Sequence, residues 1–175
     1  TMLHLKKEGL IKHAGVSNFN IQNLKDLIEK TNEKPEMNQV ELHPYLQQKE
    51  LHNFCLENGI HLTAYSPLGS LDRSNKMKKD DEPVLLQNDL INEIAQSKNA
   101  TPAQILIAWS AQRGNAVIPK SVTPSRIEEN IKAQDIQLTY SQMEEIEKID
   151  RGYRFVDGSF WAMDGSPYTM EYLWG

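Results

Sequence analysis

The chain of 175 residues has a single cysteine, Cys55. An internal disulfide is therefore excluded, and such sparse use of cysteine fits a reducing compartment. No apolar run approaches the roughly 18–20 residues that a membrane-spanning helix needs. The opening, Thr1-Met2-Leu3-His4-Leu5-Lys6-Lys7-Glu8-Gly9, lacks the apolar core and the small-residue cleavage site of a signal peptide. The expected compartment is the cytoplasm, with no membrane partner. A basic excess is missing too. The net charge is −5, which argues against a nucleic-acid partner, because that needs a cationic footprint. The one dense basic stretch, Lys76-Met77-Lys78-Lys79, is cancelled by Asp80-Asp81-Glu82 and reads as a solvated loop. There is no Gly-x-Gly-x-x-Gly, so a Rossmann dinucleotide fold is not supported. His4, His13, His43, His52 and His61 show no metal-ligand spacing, and no metal is assigned. His43, just before Pro44, reads as a satisfied structural histidine. Cys55 lies in the apolar helical pattern Leu51-His52-Asn53-Phe54-Cys55-Leu56 and reads as packing.

What is present is ordinary for a globular domain: 39% hydrophobic and 25% charged residues. The length suffices for one domain with a real core. Strand and helix patterns alternate. Strands are expected at 14–16, 37–42, 60–65 and 117–118. Helices are expected at 21–30, with Leu24, Leu27 and Ile28 on one face, and at 48–58, with Leu51, Phe54 and Cys55 inward. Gly59 closes the second of these. A long loop runs over 66–83. Helices follow at 90–98, from Thr101-Pro102 onward with Ile105, Leu106, Ala108 and Trp109, at 125–132, and at 141–148 with Ser141 as cap and Glu144 three residues on. From Gly152 the chain reads as an irregular aromatic tail. Alternation of this kind implies a parallel sheet with right-handed crossovers. The fold class is α/β, with four parallel β/α units equal to half of an eight-unit barrel. Chemistry in such barrels sits at the C-terminal ends of the strands. Here those ends carry Ser17-Asn18, Gln39, Tyr65-Ser66 and Lys120-Ser121.

The densest signal is Ile118-Pro119-Lys120-Ser121-Val122-Thr123-Pro124-Ser125-Arg126, followed by Glu129 and Asn130. A short apolar run leads into a cationic turn and then a helix. Thr123 suits the N-cap and Pro124 the first helical position. The N-terminus of a helix offers free N–H groups and a partial positive charge. Arg126, Glu129 and Asn130 are spaced i, i+3, i+4 and share a face. Such a unit can grip a phosphorylated nucleoside. The same residues also fit a capped surface helix with ordinary charges.

This stretch resembles the signature of the aldo-keto reductases. Two further segments match in order, Gly15-Val16-Ser17-Asn18-Phe19 and Ala64-Tyr65-Ser66-Pro67-Leu68-Gly69-Ser70, with Asn38-Gln39-Val40-Glu41 between them. The resemblance runs from Leu10 to about Arg154. It implies the second half of a (β/α)8 barrel, as one partial domain over 1–175, with β/α units to 150 and a substrate-loop-like tail over 151–175. It implies NADPH/NADP+ as cofactor and an aldehyde, ketone or alcohol as substrate. In that family Ser17, Asn18 and Gln39 would hold the nicotinamide carboxamide, and Tyr65 would stack on its ring. Ser66, Leu68 and Ser70 would cover the pyrophosphate, with Asp72 closing that belt. After Asp72 the sequence departs from the common pattern. Ile118, Lys120, Ser121, Val122, Thr123 and Arg126 would form the 2′-phosphate site, and Glu129 and Asn130 would meet adenine and ribose. Alternatives stay open. Asn18 could cap the next helix, Gln39 satisfy a strand end, and Tyr65 be a core residue. Phe160 and Trp161 in the tail could wall a substrate pocket or merely pack.

The family's acid–base residues have no match here, so no catalytic residue is assigned. The opening residues read as the end of a helix already under way. The expected function is NADPH-dependent carbonyl reduction, represented by its cofactor-binding half. The tail suggests fungal glycerol-dehydrogenase-like members. The second reading is an inactive half-barrel that binds nucleotide weakly, or acts through self-association or by docking with the missing half. A third is a channel-associated subunit of the same superfamily, against which the Ile-Pro-Lys-Ser-Val-Thr-Pro form points to the soluble reductases.

Overall fold

Helix and strand boundaries follow local chemistry closely in the computed structural model, which describes residues 2–174 and all their side chains but that of Lys76. Thr1 and the side chain of Lys76, both used above, lie outside what is described. The chain divides into two compact units. The first takes residues up to Val40, then Lys49–Thr63 and the stretch from Gly158. The second takes Glu41–Gln48 and Ala64–Asp157.

In the first unit, α1 (Met2–Lys7) precedes β1 (Gly15–Ser17) and α2 (Ile21–Thr31). Asn20 caps α2 by accepting from the Asn23 N–H, and Asn32 ends it in the left-handed region at φ 56°. Leu24 is fully buried. α3 (Lys49–Asn58) buries Leu51 and Cys55. Gly59 stops it at φ 69°, a backbone state that glycine adopts without strain. The tail is not wholly irregular, because Met170–Trp174 forms a short helix, α8.

In the second unit, residues 41–47 are all buried. α4 (Asp89–Ser97) is capped by Asn88 and turns Ile91, Ile94 and Ala95 inward. α5 (Pro102–Gln112) starts with Thr101 and Gln104 in a capping box and buries every residue from Ile105 to Ser110. A helix apolar on all sides belongs at the centre of a core. Each such Leu or Ile contributes about 1.5–3 kcal/mol by leaving water. α6 (Pro124–Lys132) and α7 (Tyr140–Glu147) complete the unit.

α7 starts earlier than Ser141. Its cap is Thr139, with Gln142 as the reciprocal partner. Both Thr139-x-x-Gln142 and Ser141-x-x-Glu144 satisfy the capping-box rule. With Thr139 as cap, Leu138 and Met143 occupy the two positions of a hydrophobic staple, and Leu138 is 4% exposed.

β2 (Met37–Glu41), β3 (His61–Tyr65) and β4 (Ala116–Val117) join β1 in a parallel four-stranded sheet of order β1-β2-β3-β4. β1 and β2 are in register as Gly15 to Met37, Val16 to Asn38 and Ser17 to Gln39. Within the second unit, the Leu42 N–H donates to the Tyr65 carbonyl at 3.3 Å and the Ile118 N–H to that of Ala64 at 3.2 Å. β2 and β3 each begin in the first unit and end in the second.

Candidate functional site

Two stretches far apart in sequence line one groove of about 530 Å³ in the second unit. One is the end of β3 and the loop after it, with Tyr65, Ser66, Leu68, Ser70 and Asp72. The other leads into α6, with Ile118, Lys120, Ser121, Val122, Thr123 and Arg126. Ser66 and Ser70 are held in the left-handed region at φ 51° and 49°. Non-glycine residues in that region collect at ligand sites. The Ser70 hydroxyl donates to that of Ser66 at 2.5 Å, and the Gly69 N–H closes the turn on the Ser66 carbonyl at 3.0 Å.

Asp72 and Lys120 join the two stretches, with Oδ2 and Nζ 2.5 Å apart. The Lys120 ammonium holds the Asp72 carboxyl below its ordinary pKa. Thr123 stands at the N-cap of α6, but its hydroxyl makes no capping bond. Its own N–H donates to Ser121 Oγ at 3.2 Å. The first turn of α6 therefore keeps N–H groups free of a side-chain cap, between Lys120 and Arg126, which suits an anion.

Glu129 and Asn130 do not line this groove. Glu129 Oε1 accepts from the Thr101 hydroxyl at 2.5 Å. Asn130 lines a separate hollow of about 480 Å³, which Lys120 and Ser121 also reach.

In the first unit, the Gln39 carbonyl gathers the Ser17 hydroxyl at 2.9 Å and the Asn18 N–H at 2.9 Å. Asn18 is left-handed at φ 59°. Its Oδ1 is buried and has no partner among the described residues. A buried acceptor left open in this way fits the N–H of a carboxamide. Asn18 does not cap α2; Asn20 does. The turn is fixed from below by buried Asn38, whose Nδ2 donates to the Phe19 carbonyl at 2.8 Å. Ser17 and Asn18 line a groove of about 630 Å³ with Asp26, Lys30, Trp161, Tyr168 and Tyr172. The Phe160 and Trp161 rings lie 4.2 Å apart, with Trp161 41% exposed.

Several functional-looking groups escaped sequence reasoning. Glu41 is fully buried, with Oε1 2.6 Å from the Phe155 nitrogen and Oε2 3.0 Å from that of Val156. His43 Nε2 lies 2.9 Å from Oε1, while its Nδ1 has no partner among the described residues, so this histidine is satisfied on one nitrogen only. In the sequence Glu41 stood out only as a charge between Val40 and Leu42 and as the last residue of the matching segment Asn38-Gln39-Val40-Glu41, and neither announces its burial. The acidic and basic run after Asp72 is not simply solvated. Arg73 and Glu82 form an ion pair with both side chains 8% exposed, and Lys79 reaches Asp157 at 3.6 Å. Burial pushes the Cys55 thiol up to about 11, which leaves it an inert packing group. Among the described residues no cluster of His, Cys, Asp or Glu is arranged to hold a metal, and no helix is long and apolar enough to cross a membrane.

The chain is similar to known proteins. The sequence pattern of the Aldo/keto reductase family matches residues 1–151. An aldo/keto reductase of Synechocystis sp. is 51% identical over 95% of this chain and 51% of its own length. Aldo-keto reductase family 1 member A1 of Gallus gallus is 44% identical over 89% of this chain and 47% of its own. The chain thus spans about half the length of the curated relatives it matches. The apo crystal structure of Gox0644 superposes with a TM-score of 0.76 at 37% identity, covering 86% of this chain and 51% of that one. In pattern, sequence and fold alike, the chain belongs to the aldo/keto reductase family.

Proposed function

We propose that the chain is the NADPH-binding part of a carbonyl oxidoreductase acting on a small aldehyde or ketone, or on the corresponding alcohol. The observation that carries this reading is the groove of about 530 Å³, where Lys120 and Arg126 flank the uncapped first turn of α6. A phosphate monoester there would meet two cations and free N–H groups, and each charge-assisted hydrogen bond contributes about 1.5–3 kcal/mol. Ser121, Val122 and Thr123 shape the turn around it. Tyr65 offers a flat face for stacking, and Ser66, Leu68, Ser70 and Asp72 cover the middle of the nucleotide. Ser17, Asn18 and Gln39 orient its carboxamide end. Glu129 and Asn130 are kept for the adenosine end, Asn130 through the second hollow. When bound, NADPH supplies a hydride to the carbonyl carbon, and the chain's part is to bind and orient. The proton donor is placed in the part of the relatives' length that this chain does not cover. The finer likeness to fungal glycerol-dehydrogenase-like members rests on the tail alone and adds no substrate. A single partial-barrel domain in a reducing, cytoplasmic setting, supported by the lone buried cysteine, belongs to the same proposal.

Calorimetric titration of the chain with NADPH and with NADH tests this. NADPH should bind more tightly, and Arg126→Ala should weaken NADPH about 10- to 100-fold while leaving NADH nearly unchanged. Equal losses for both would overturn the phosphate assignment. The alternative reading is an inactive half-barrel that binds nucleotide weakly or acts only through association with another chain. Failure of the unaltered chain to bind NADPH would select it.

A further inference from the structure

We propose that Glu41 is a positioning residue for the cofactor-covering loop, acting through Phe155. This rests on the reading of that loop as part of the nucleotide groove. The Glu41 side chain is fully buried and bound at both oxygens by the consecutive N–H groups of Phe155 and Val156, at 2.6 and 3.0 Å. That pins the backbone and so aims the Phe155 ring, itself 2% exposed. The ring lies under the turn of the loop. A Cβ built on Gly69 would sit 3.2 Å from Phe155 Cε2 and Cζ, and Gly69 has φ 87°, so the ring and the glycine are matched in shape. The Arg73 guanidinium lies 5.5 Å from the ring centroid. Arg73 in turn gathers the loop, donating to the carbonyls of Ser70 at 3.1 Å and Met77 at 3.3 Å and pairing with Glu82. Tyr153, two residues before Phe155, donates its hydroxyl to the same Glu82 carboxylate at 3.3 Å.

The chemistry of position 41 favours a carboxylate. Both oxygens accept, and both face N–H donors. A glutamine would turn an NH₂ group toward one of those donors and loosen the tail backbone at that point. The loop beyond Phe155 has its own reporters. The N–H groups of Gly69, Arg73, Met77 and Lys78 each donate to a carbonyl three residues back within the loop.

Native-state hydrogen exchange on the full 175-residue chain, without nucleotide, tests the link. In Glu41→Gln these four amides should exchange about tenfold faster or more, while the Ile118 amide and those of α5 keep their rates. Phe155→Ala should speed the same four, and adding Glu41→Gln to it should bring no further change, the non-additivity expected of residues acting in series. Unchanged loop amides, a uniform rise that includes α5, or additive effects would each overturn the proposal and leave Glu41 as an ordinary core group. Should Glu41→Gln fail to fold, Phe155→Leu decides, since it keeps the N–H that Glu41 holds and removes the ring: faster loop amides support the link and unchanged ones overturn it. Because no nucleotide is present, a chain that binds no NADPH would defeat the cofactor reading alone and leave this test intact.

Discussion

The Asp72–Lys120 pair shows how one contact can matter for a ligand and little for the fold. Both side chains are more than 60% exposed, so water screens the pair, and such pairs contribute within about 1 kcal/mol. Its value is geometric, because it ties together the two stretches that line the groove. On the proposed reading of the groove as an NADPH site, Asp72→Asn should therefore speed NADPH release about two- to fivefold in stopped-flow chase experiments, with a melting temperature almost unchanged. A large fall in melting temperature with an unchanged release rate would reverse that assignment. The pH dependence follows from the lowered pKa of Asp72, caused first by the bond from Lys120. The group binds fewer protons folded than unfolded. The pair's small contribution is present above the ordinary aspartate value of about 3.9 and is lost as pH falls through the lowered folded value. Asp72 was legible from its place after a recognisable motif. Glu41 was visible as part of a matching segment, but its role was not, because its donors come from 114 and 115 residues further on, and no local spacing announces a charge that will be buried with partners at that range.

Helix ends make a sharper comparison, because the threonines at the N-caps of α5, α6 and α7 do different things. Thr139 caps α7 in a capping box with Gln142. Thr101 does the same for α5 with Gln104, and its hydroxyl also donates to Glu129 on α6 at 2.5 Å. Thr123 has the cap position and makes no capping bond. Thr139→Ala should cost about 1 kcal/mol and lower the melting temperature by about 2–4 °C. Thr101→Ala should cost more, since it also strands the Glu129 carboxylate. Thr123→Ala should leave the melting temperature within about 1 °C. Calorimetric melting of the three variants checks the order, and a Thr123→Ala loss as large as that of Thr139→Ala would mean its hydroxyl caps after all. The elements themselves were legible because caps, proline at the first turn and apolar spacing agree, as in α2, α4 and α5. The cap of α7 was misplaced by two residues, at Ser141 for Thr139, where two capping boxes overlap and only the burial of Leu138 chooses between them. α8 was missed because it is barely more than one turn and buries no side chain, although the Thr169 hydroxyl accepts from the Tyr172 N–H at 3.0 Å.

For the whole molecule, alternation of strand and helix was enough to foresee a parallel sheet of four strands, but not which strands lie outermost. That depends on how the sheet closes, a long-range property. The order β1-β2-β3-β4 leaves β1 and β4 with one neighbour each. Their burial agrees. Gly15 and Ser17 of β1 are exposed, as is Ala116 of β4, whereas Asn38, Val40 and Glu41 of β2 and residues 62–64 of β3 are buried. Beside β4, in the second unit, Ile118, Val122, Ile127 and Ile131 are 46, 82, 43 and 61% exposed. Unpaired parallel edges and bare apolar side chains invite pairing with another chain. Self-association is therefore expected. Sedimentation should show species heavier than 20.0 kDa, growing with concentration through the micromolar range. Ile127→Lys with Ile131→Lys should shift the population back toward monomer, because two charges in that face would lose hydration on pairing. A single monomeric species up to about 100 µM would overturn the expectation. It would mean that the edges, only three and two residues long, are already too short to template pairing.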